Sequence, residues 1–104
     1  MSQPGSKTQE KPSVATREKS RKARRYQVVL LNDDYTTMEF VVMILESIFR
    51  HSPAEAVQIM LKVHKEGRGV AGVYPHEVAE SKSLAVHDRE RAAGFPLRAA
   101  VEEI

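Results

Sequence analysis

The chain has 104 residues, enough for a single domain with its own hydrophobic core. It contains no cysteine, which excludes disulfide bonds and thiolate metal sites. No apolar run approaches the roughly 20 residues that cross a bilayer, and the N-terminus lacks the apolar segment of a signal peptide. We therefore expect a cytoplasmic protein without a membrane partner.

The charge is distributed unevenly along the chain. Residues 1–25 contain eight Lys or Arg and two Glu, whereas residues 26–104 contain eight basic and twelve acidic side chains. Besides Met1, the first segment has one large aliphatic residue, Val14. Such a segment buries too little apolar area to offset its conformational entropy. We predict a flexible basic N-terminal extension over residues 1–25 and one acidic folded domain over residues 26–104.

The sequence of the first half of the domain predicts a strand followed by two helices. Continuous apolarity predicts a strand from Tyr26 to Leu31 that is buried on both faces. An amphipathic pattern predicts a helix from about Met38 to Arg50, capped by Thr36 or Thr37. Ser52, Pro53 and Glu55 then form the pattern of a capping box, so a second helix begins there, and Gly67 ends it.

The second half is predicted to contain two strands around a longer helix. Residues 69–74 form a weakly alternating second strand, Pro75 opens a third helix that Gly94 closes, and residues 97–101 form a short final strand. The order is β-α-α-β-α-β. It predicts an α+β fold, a small three-stranded antiparallel sheet with three helices packed on one side.

An acidic step separates the first strand from the first helix. Asn32, Asp33 and Asp34 directly follow Leu31. Ionised carboxylates only accept hydrogen bonds, so such a site suits a ligand that brings N–H donors or positive charge. The apolar stripe of the first helix covers about 200° of its circumference, more than its sheet contact needs. We expect the surplus near the acidic step, Met38 and Val41, to line a groove.

His64 has two interpretations. It falls within the apolar arc of the second helix, so it is either a core histidine bonded to a backbone carbonyl or a partner of the acidic step. A metal site is poorly supported, because adjacent Asp33 and Asp34 would point in different directions and no second His lies at ligand spacing. A catalytic site needs a nucleophile within reach of a base. Besides Tyr35, the nearby hydroxyls are those of Thr36 and Thr37, which are better explained as helix caps. We expect no metal and no cofactor.

A site for a primary ammonium attached to an apolar group fits these residues better. A charge-assisted hydrogen bond contributes on the order of 1.5–3 kcal/mol, and burial of one Leu or Phe side chain adds about 1.5–3 kcal/mol. Neither part alone reaches the roughly 8 kcal/mol of micromolar binding. A ligand that carries both features is therefore selected over ligands that carry one.

A set of ordered motifs resembles the ClpS adaptor family. The motifs are LNDDYTTMEFV at residues 31–41, MLKVH at residues 60–64 with Gly67, GVYP at residues 72–75, EVAESK at residues 77–82, and Pro96-Leu97. The resemblance covers residues 26 to about 102. It implies an adaptor, not an enzyme, that captures proteins with an N-terminal Phe, Leu, Tyr or Trp. The adaptor passes these N-degron substrates to the AAA+ unfoldase ClpA for degradation by ClpP.

The resemblance also implies roles for individual residues. The substrate's α-amino group and first peptide unit would be held by Asn32, Asp33, Asp34 and His64. The side-chain pocket would be lined by Leu30, Thr36, Met38, Val41, Met60, Val63 and Leu97, with Met38 restricting β-branched side chains. Docking on the N-terminal domain of the unfoldase would use Glu77 and Lys82. The N-terminal extension would engage the unfoldase during delivery.

Four positions depart from the commoner family pattern: Ala71 replaces a frequent Cys, Met43 a frequent polar residue, and Arg98-Ala99 usually apolar or Cys residues. They are compatible with a divergent second copy that accepts fewer N-terminal residues. We expect a monomer without a nucleic-acid partner. The alternative interpretation is a small ribosome- or RNA-associated α/β module, suggested by the basic extension.

Overall fold

The structure is a computed structural model that describes residues 24–104. Its elements, in chain order, are β1 (Arg25–Leu31), α1 (Met38–Ser47), α2 (Pro53–Glu66), β2 (Arg68–Pro75), α3 (His76–Ala93) and β3 (Arg98–Glu103). The predicted order and α+β class are confirmed. The predicted extension over residues 1–25 lies outside the described residues except for its last two, of which Arg25 is the first residue of β1. No helix within residues 24–104 is long and apolar enough to span a membrane.

The sheet is antiparallel throughout, in the order β2-β1-β3. One face of the central strand β1 carries Val28 and Leu30, which are fully buried. The helices pack on this face and complete the core with Phe40, Val41, Ile44 and Leu45 from α1, Ala56, Met60 and Val63 from α2, and Ala79 and Val86 from α3. The prediction that all three helices lie on one side of the sheet is confirmed.

On the other face of β1, hydrogen-bonded polar side chains cover the centre of the strand. Glu102 on β3 accepts hydrogen bonds from Gln27 at 3.0 Å and from the Arg68 guanidinium at 2.7 Å. Because Arg68 lies opposite Leu31 and Glu102 lies opposite Gln27, this ion pair crosses the sheet diagonally over Val29. Val29 is fully buried, so the predicted burial on both faces holds at the strand centre, whereas Leu31 is half-buried.

The first helix is shorter than predicted. We expected it to reach Arg50, but α1 ends at Ser47 with Ile48 as its C-cap. Arg50 has a φ of 61°, in the left-handed region, which a continuing right-handed helix excludes. The amphipathic pattern overran the helix because Ile48 and Phe49 are buried although they lie beyond its end.

The remaining boundaries follow their predicted caps closely. The capping box of Ser52 and Glu55 is formed at the start of α2, and Gly67 ends that helix with a φ of 89°. The predicted start of α3 was one residue early, because Pro75 occupies the N-cap position. β2 extends one residue further at each end than predicted, to Arg68 and Pro75.

The predicted last strand was displaced by one or two residues. It was expected over residues 97–101, but β3 runs from Arg98 to Glu103. Leu97 is buried in the core just before the strand begins. The charged end of β3 was missed because acidic residues do not predict a strand from pattern alone. Here Glu102 is paired across the sheet with Arg68, and Glu103 with Arg24.

Candidate functional site

A groove of about 380 Å³ opens beside the acidic step that follows β1. Its walls come from the loop between β1 and α1, the first turns of α1, and the second half of α2. The lining residues are Asn32, Asp33, Asp34, Tyr35, Thr36, Thr37, Met38, Val41, Met60, Val63 and His64. All four residues predicted to hold an amino group thus border one cavity.

Strand pairing brings the acidic step and His64 together. Leu31 and Arg68 are paired in the sheet, so the residues that flank the pair, Asn32 and Gly67, lie side by side. The Asn32 backbone N–H donates to the Gly67 carbonyl oxygen at 3.0 Å. His64 lies on the last turn of α2, three residues before Gly67. The sheet register therefore brings Asn32 to the end of α2 that carries His64, and both residues border the groove.

Asp33 organises the loop that carries the acidic step. Its Oδ1 accepts hydrogen bonds from the backbone N–H groups of Tyr35 at 2.8 Å and Thr36 at 2.7 Å, and its Oδ2 accepts one from the Thr36 hydroxyl at 2.7 Å. Partial burial acts to raise the pKa of Asp33. The hydrogen bonds from Thr36 and Tyr35 together outweigh that effect, so the pKa is lowered from its ordinary value of 3.8. Asp33 therefore stays ionised and shapes the loop.

Asp34 and His64 are both exposed. No side chain within residues 24–104 forms a hydrogen bond or ion pair with either of them. The exposure of His64 excludes the core-histidine interpretation, because the ring is neither buried nor bonded to a backbone carbonyl in the described chain. Both groups are accessible to a ligand in the groove.

The other end of the groove is apolar. Val41, Met60 and Val63 form a wall that is 2–8% exposed, and Met38 stands at the opening with 43% of its surface exposed. Thr37 caps α1 by accepting a hydrogen bond from the Phe40 backbone N–H at 3.1 Å, which fixes the turn that carries Met38.

Two residues predicted for the pocket lie elsewhere. Leu30 and Leu97 are 0% and 2% exposed and belong to the core; neither borders the groove in this structure. Conversely, Tyr35 and Thr37 line the groove although neither was predicted to do so. The sequence offered one indication for both residues: they lie in the short loop between Asp34 and Met38, and both of those residues were already assigned to the site.

The groove is electrostatically suited to a cation. Two carboxylates line it, and within residues 24–104 no Lys or Arg does. The C-terminal end of α2, the negative end of its helix dipole, lies on the same side at His64. In the described part of the chain, no group of three or more His, Cys, Asp or Glu is arranged to hold a metal ion. The site favours a ligand with a positively charged group next to an apolar one.

The two predicted docking residues lie on α3, away from the groove. Glu77 is exposed in the first turn of the helix. Lys82 is half-buried: its Nζ donates to the Ile48 carbonyl oxygen at 2.7 Å and lies 5.5 Å from the centre of the Tyr74 ring. Lys82 therefore also ties α3 to the end of α1.

The fold and the groove together define a small α+β binding module. Its groove suits a ligand in which a positively charged group lies next to an apolar group. Comparison with known proteins identifies which module this is. Residues 21–100 match the family model described as the ATP-dependent Clp protease adaptor protein ClpS, and the chain belongs to this family. The family is that of a protease adaptor, which favours the adaptor interpretation over the RNA-associated one.

Individual relatives agree with the family model. The chain is 53% identical over 97 residues to the ATP-dependent Clp protease adapter protein ClpS of Oleidesulfovibrio alaskensis, covering 93% of each chain. It is 56% identical over 80 residues to ClpS of Wolinella succinogenes, covering 77% of this chain and 78% of the relative. The structure of Agrobacterium tumefaciens ClpS2 bound to L-phenylalaninamide superposes with a TM-score of 0.76 at 38% identity, covering 79% of this chain and 99% of that one.

Proposed function

We propose that the protein binds the free N-terminal residue of N-degron substrates, with Phe, Leu, Tyr or Trp preferred, and delivers these substrates to the unfoldase ClpA for degradation by ClpP. One observation carries the proposal: a single groove combines an accessible carboxylate, an amide and an imidazole with an adjoining apolar wall. An α-ammonium next to a large unbranched or aromatic side chain satisfies both halves of that groove.

Each polar residue of the groove has a different role in binding the amino group. The carboxylate of Asp34 neutralises the α-ammonium, while the Asn32 side-chain oxygen and a neutral His64 ring nitrogen accept its N–H groups. Both carboxylate oxygens of Asp33 accept hydrogen bonds from Tyr35 and Thr36. Asp33 therefore positions the loop, and its negative charge adds to the attraction for the ammonium group. An acetylated N-terminus has neither the charge nor three donors, and is rejected.

The apolar residues select the side chain. Val41, Met60 and Val63 form the wall, Thr36 borders the polar end, and Met38 at the opening restricts side chains that branch at Cβ. Leu30 and Leu97 are buried in the same core cluster as these wall residues, and in our proposal they support the wall. The ligand of the structural neighbour agrees with this division, since L-phenylalaninamide has a free α-amino group next to a benzyl side chain.

A second surface is proposed to dock on the N-terminal domain of the unfoldase. It contains Glu77 and Lys82 on α3, and it is separate from the residues that line the groove. Residues 1–25, basic in composition, engage the unfoldase during delivery in this proposal. We propose that the adaptor acts as a cytoplasmic monomer, so that one chain carries one substrate.

The experiment compares peptides that differ only at the N-terminus. A fluorescently labelled peptide that begins with Phe is expected to bind in an anisotropy titration, and its N-acetylated form to bind at least about 100-fold more weakly, because the loss of two or more charge-assisted hydrogen bonds costs about 3 kcal/mol or more. His64→Ala should weaken binding by about tenfold without changing the thermal midpoint. Equal affinity for the free and acetylated peptides would refute the proposal.

A further inference from the structure

A second groove continues from the first along α1. It has a volume of about 370 Å³, and we call it the methionine groove after its lining residues Met38, Glu39, Val42, Met43, Glu46 and Met60. Met38 and Met43 are 43% and 38% exposed, and comparable exposure of large apolar side chains occurs elsewhere on the described surface, as at Leu84 with 61%. What distinguishes Met38 and Met43 is that they line a groove directly beside the substrate groove.

The two grooves share a wall. Met38 and Met60 line both of them, so the two grooves form one continuous surface. A substrate chain that follows this surface out of the substrate groove passes these two side chains. From Met38 to Glu46 the helix rises by about 12 Å at 1.5 Å per residue. An extended peptide covers that length with about three to four residues at 3.3 Å each.

Strand geometry identifies which side chain would face the methionine groove. In an extended peptide, alternate side chains point to the same side. If the first side chain enters the substrate groove, the third points towards the same helical surface, one step further along it. The second side chain points away to solvent.

We propose that the methionine groove binds an apolar side chain at the third residue of the substrate, so that the protein selects at positions one and three together. This inference rests on the proposed function of the substrate groove. Methionine side chains are flexible and polarisable, so the groove accommodates apolar side chains of different shapes. Glu39 and Glu46 border it, and their charges disfavour an acidic third residue.

The test measures affinity for three peptides that begin with Phe-Ser and have Leu, Ser or Asp as the third residue, in an otherwise identical sequence. Half-burial of a leucine side chain predicts about a three- to tenfold tighter binding of the Leu peptide than of the Ser peptide. The Asp peptide should bind more weakly than the Ser peptide, with the difference reduced at high salt. Equal affinity of all three would overturn the inference.

Two variants assign the effect to the groove. Met43→Ala should remove most of the advantage of Leu over Ser, to within about twofold, while the affinity for the Ser peptide stays unchanged. Leu84→Ala is the control, since Leu84 is also exposed and apolar, with 61% of its surface accessible, but lies on α3 away from both grooves. A loss of the Leu preference in the control as well would overturn the assignment to Met43.

The experiments distinguish failure of this inference from failure of the proposed function. If acetylation of the N-terminus abolishes binding but the third residue has no effect, the proposed function stands and this inference fails. If sedimentation shows a dimer that Met43→Ala dissociates, and the third residue has no effect, the groove is a contact between two copies. If removal of residues 1–23 is needed before the third residue has any effect, the groove is occupied by that segment, and the inference is again overturned.

Discussion

At the scale of single residues, the two adjacent aspartates have different surroundings. Asp33 accepts three hydrogen bonds from its own loop, at 2.7 to 2.8 Å, whereas no residue within 24–104 pairs with the Asp34 side chain. The sequence predicted both as ligands of one cation, because adjacent acidic residues look equivalent in a pattern. Backbone geometry gives the two side chains different roles: the Asp33 carboxylate bonds to its own turn, and the Asp34 carboxylate remains accessible at the groove.

Substitution of each aspartate separates these roles. Asp34→Asn should weaken binding of a Phe-initiated peptide by about three- to tenfold at low salt and leave the free energy of unfolding unchanged. Asp33→Ala should weaken binding and also lower the free energy of unfolding by about 1–2 kcal/mol, because it removes the acceptor of the turn. Anisotropy titration and urea denaturation followed by circular dichroism measure the two quantities. A destabilised Asp34→Asn variant would contradict this division.

The lowered pKa of Asp33 predicts how stability depends on pH. Folding favours its ionised form, so its contribution to stability is complete above its ordinary pKa of 3.8 and is lost as the pH falls through the lower pKa of the folded state. Asp33→Asn should therefore lose less stability than the parent between about pH 5 and pH 2. Glu55 and Glu102 also have lowered pKa values but are present in both proteins, so their effect cancels. Parallel stability curves would contradict the prediction.

At the scale of elements, the end of α2 connects helix geometry to the site. Gly67 has a φ of 89°, and its carbonyl oxygen accepts the backbone N–H of Asn32. A Cβ at Gly67 would meet no atom within 4 Å, so a substitution there is opposed by the backbone conformation and not by a clash. Caps of this kind are readable in a sequence, because Gly is preferred where φ is positive.

Gly67→Ala has a matched control in Gly94→Ala. Gly94 ends α3 with a φ of 80°, and a Cβ at this position would likewise meet no atom within 4 Å. Each substitution should lower the free energy of unfolding by about 1 kcal/mol. Only Gly67→Ala should also weaken peptide binding, since it displaces the carbonyl that positions Asn32. Urea denaturation and the peptide titration measure both effects, and equal binding losses in the two variants would refute the link.

The first helix shows where element prediction fails. Its predicted end at Arg50 was wrong by three residues, because Ile48 and Phe49 continue the apolar pattern after the helix has ended. Both residues are buried through packing of the following turn, not through helical periodicity. Amphipathic periodicity reports which side chains enter the core, and only indirectly the backbone conformation that brings them there.

At the scale of the whole molecule, the substrate groove and the proposed docking surface are built from different elements. The groove uses the loop after β1 together with α1 and α2, whereas Glu77 and Lys82 lie on α3. Lys82 also bonds to the Ile48 carbonyl and packs on Tyr74, so its substitution would disturb the domain as well as a partner contact. Glu77 is the better residue for a test.

Charge reversal at Glu77 should separate binding from delivery. Glu77→Lys is expected to bind a Phe-initiated peptide like the parent protein, and to lose at least about tenfold in affinity for the N-terminal domain of the unfoldase. Asp88→Lys is the control, because Asp88 is also an exposed acidic residue on α3. Titration with each partner gives both affinities. Loss of unfoldase binding in Asp88→Lys alone would place the docking surface elsewhere on the helix.

Local preferences and short-range periodicity in the sequence were sufficient to establish the element order, the helix caps, and an acidic step beside an apolar stripe. Tertiary structure was needed to show that His64 borders this step, that Asp33 serves the loop while Asp34 remains accessible, and that Leu30 and Leu97 lie in the core. Each of these depends on the pairing of Leu31 with Arg68 and on the packing of α2 against α1. Such contacts join residues far apart in the chain, so no local pattern specifies them.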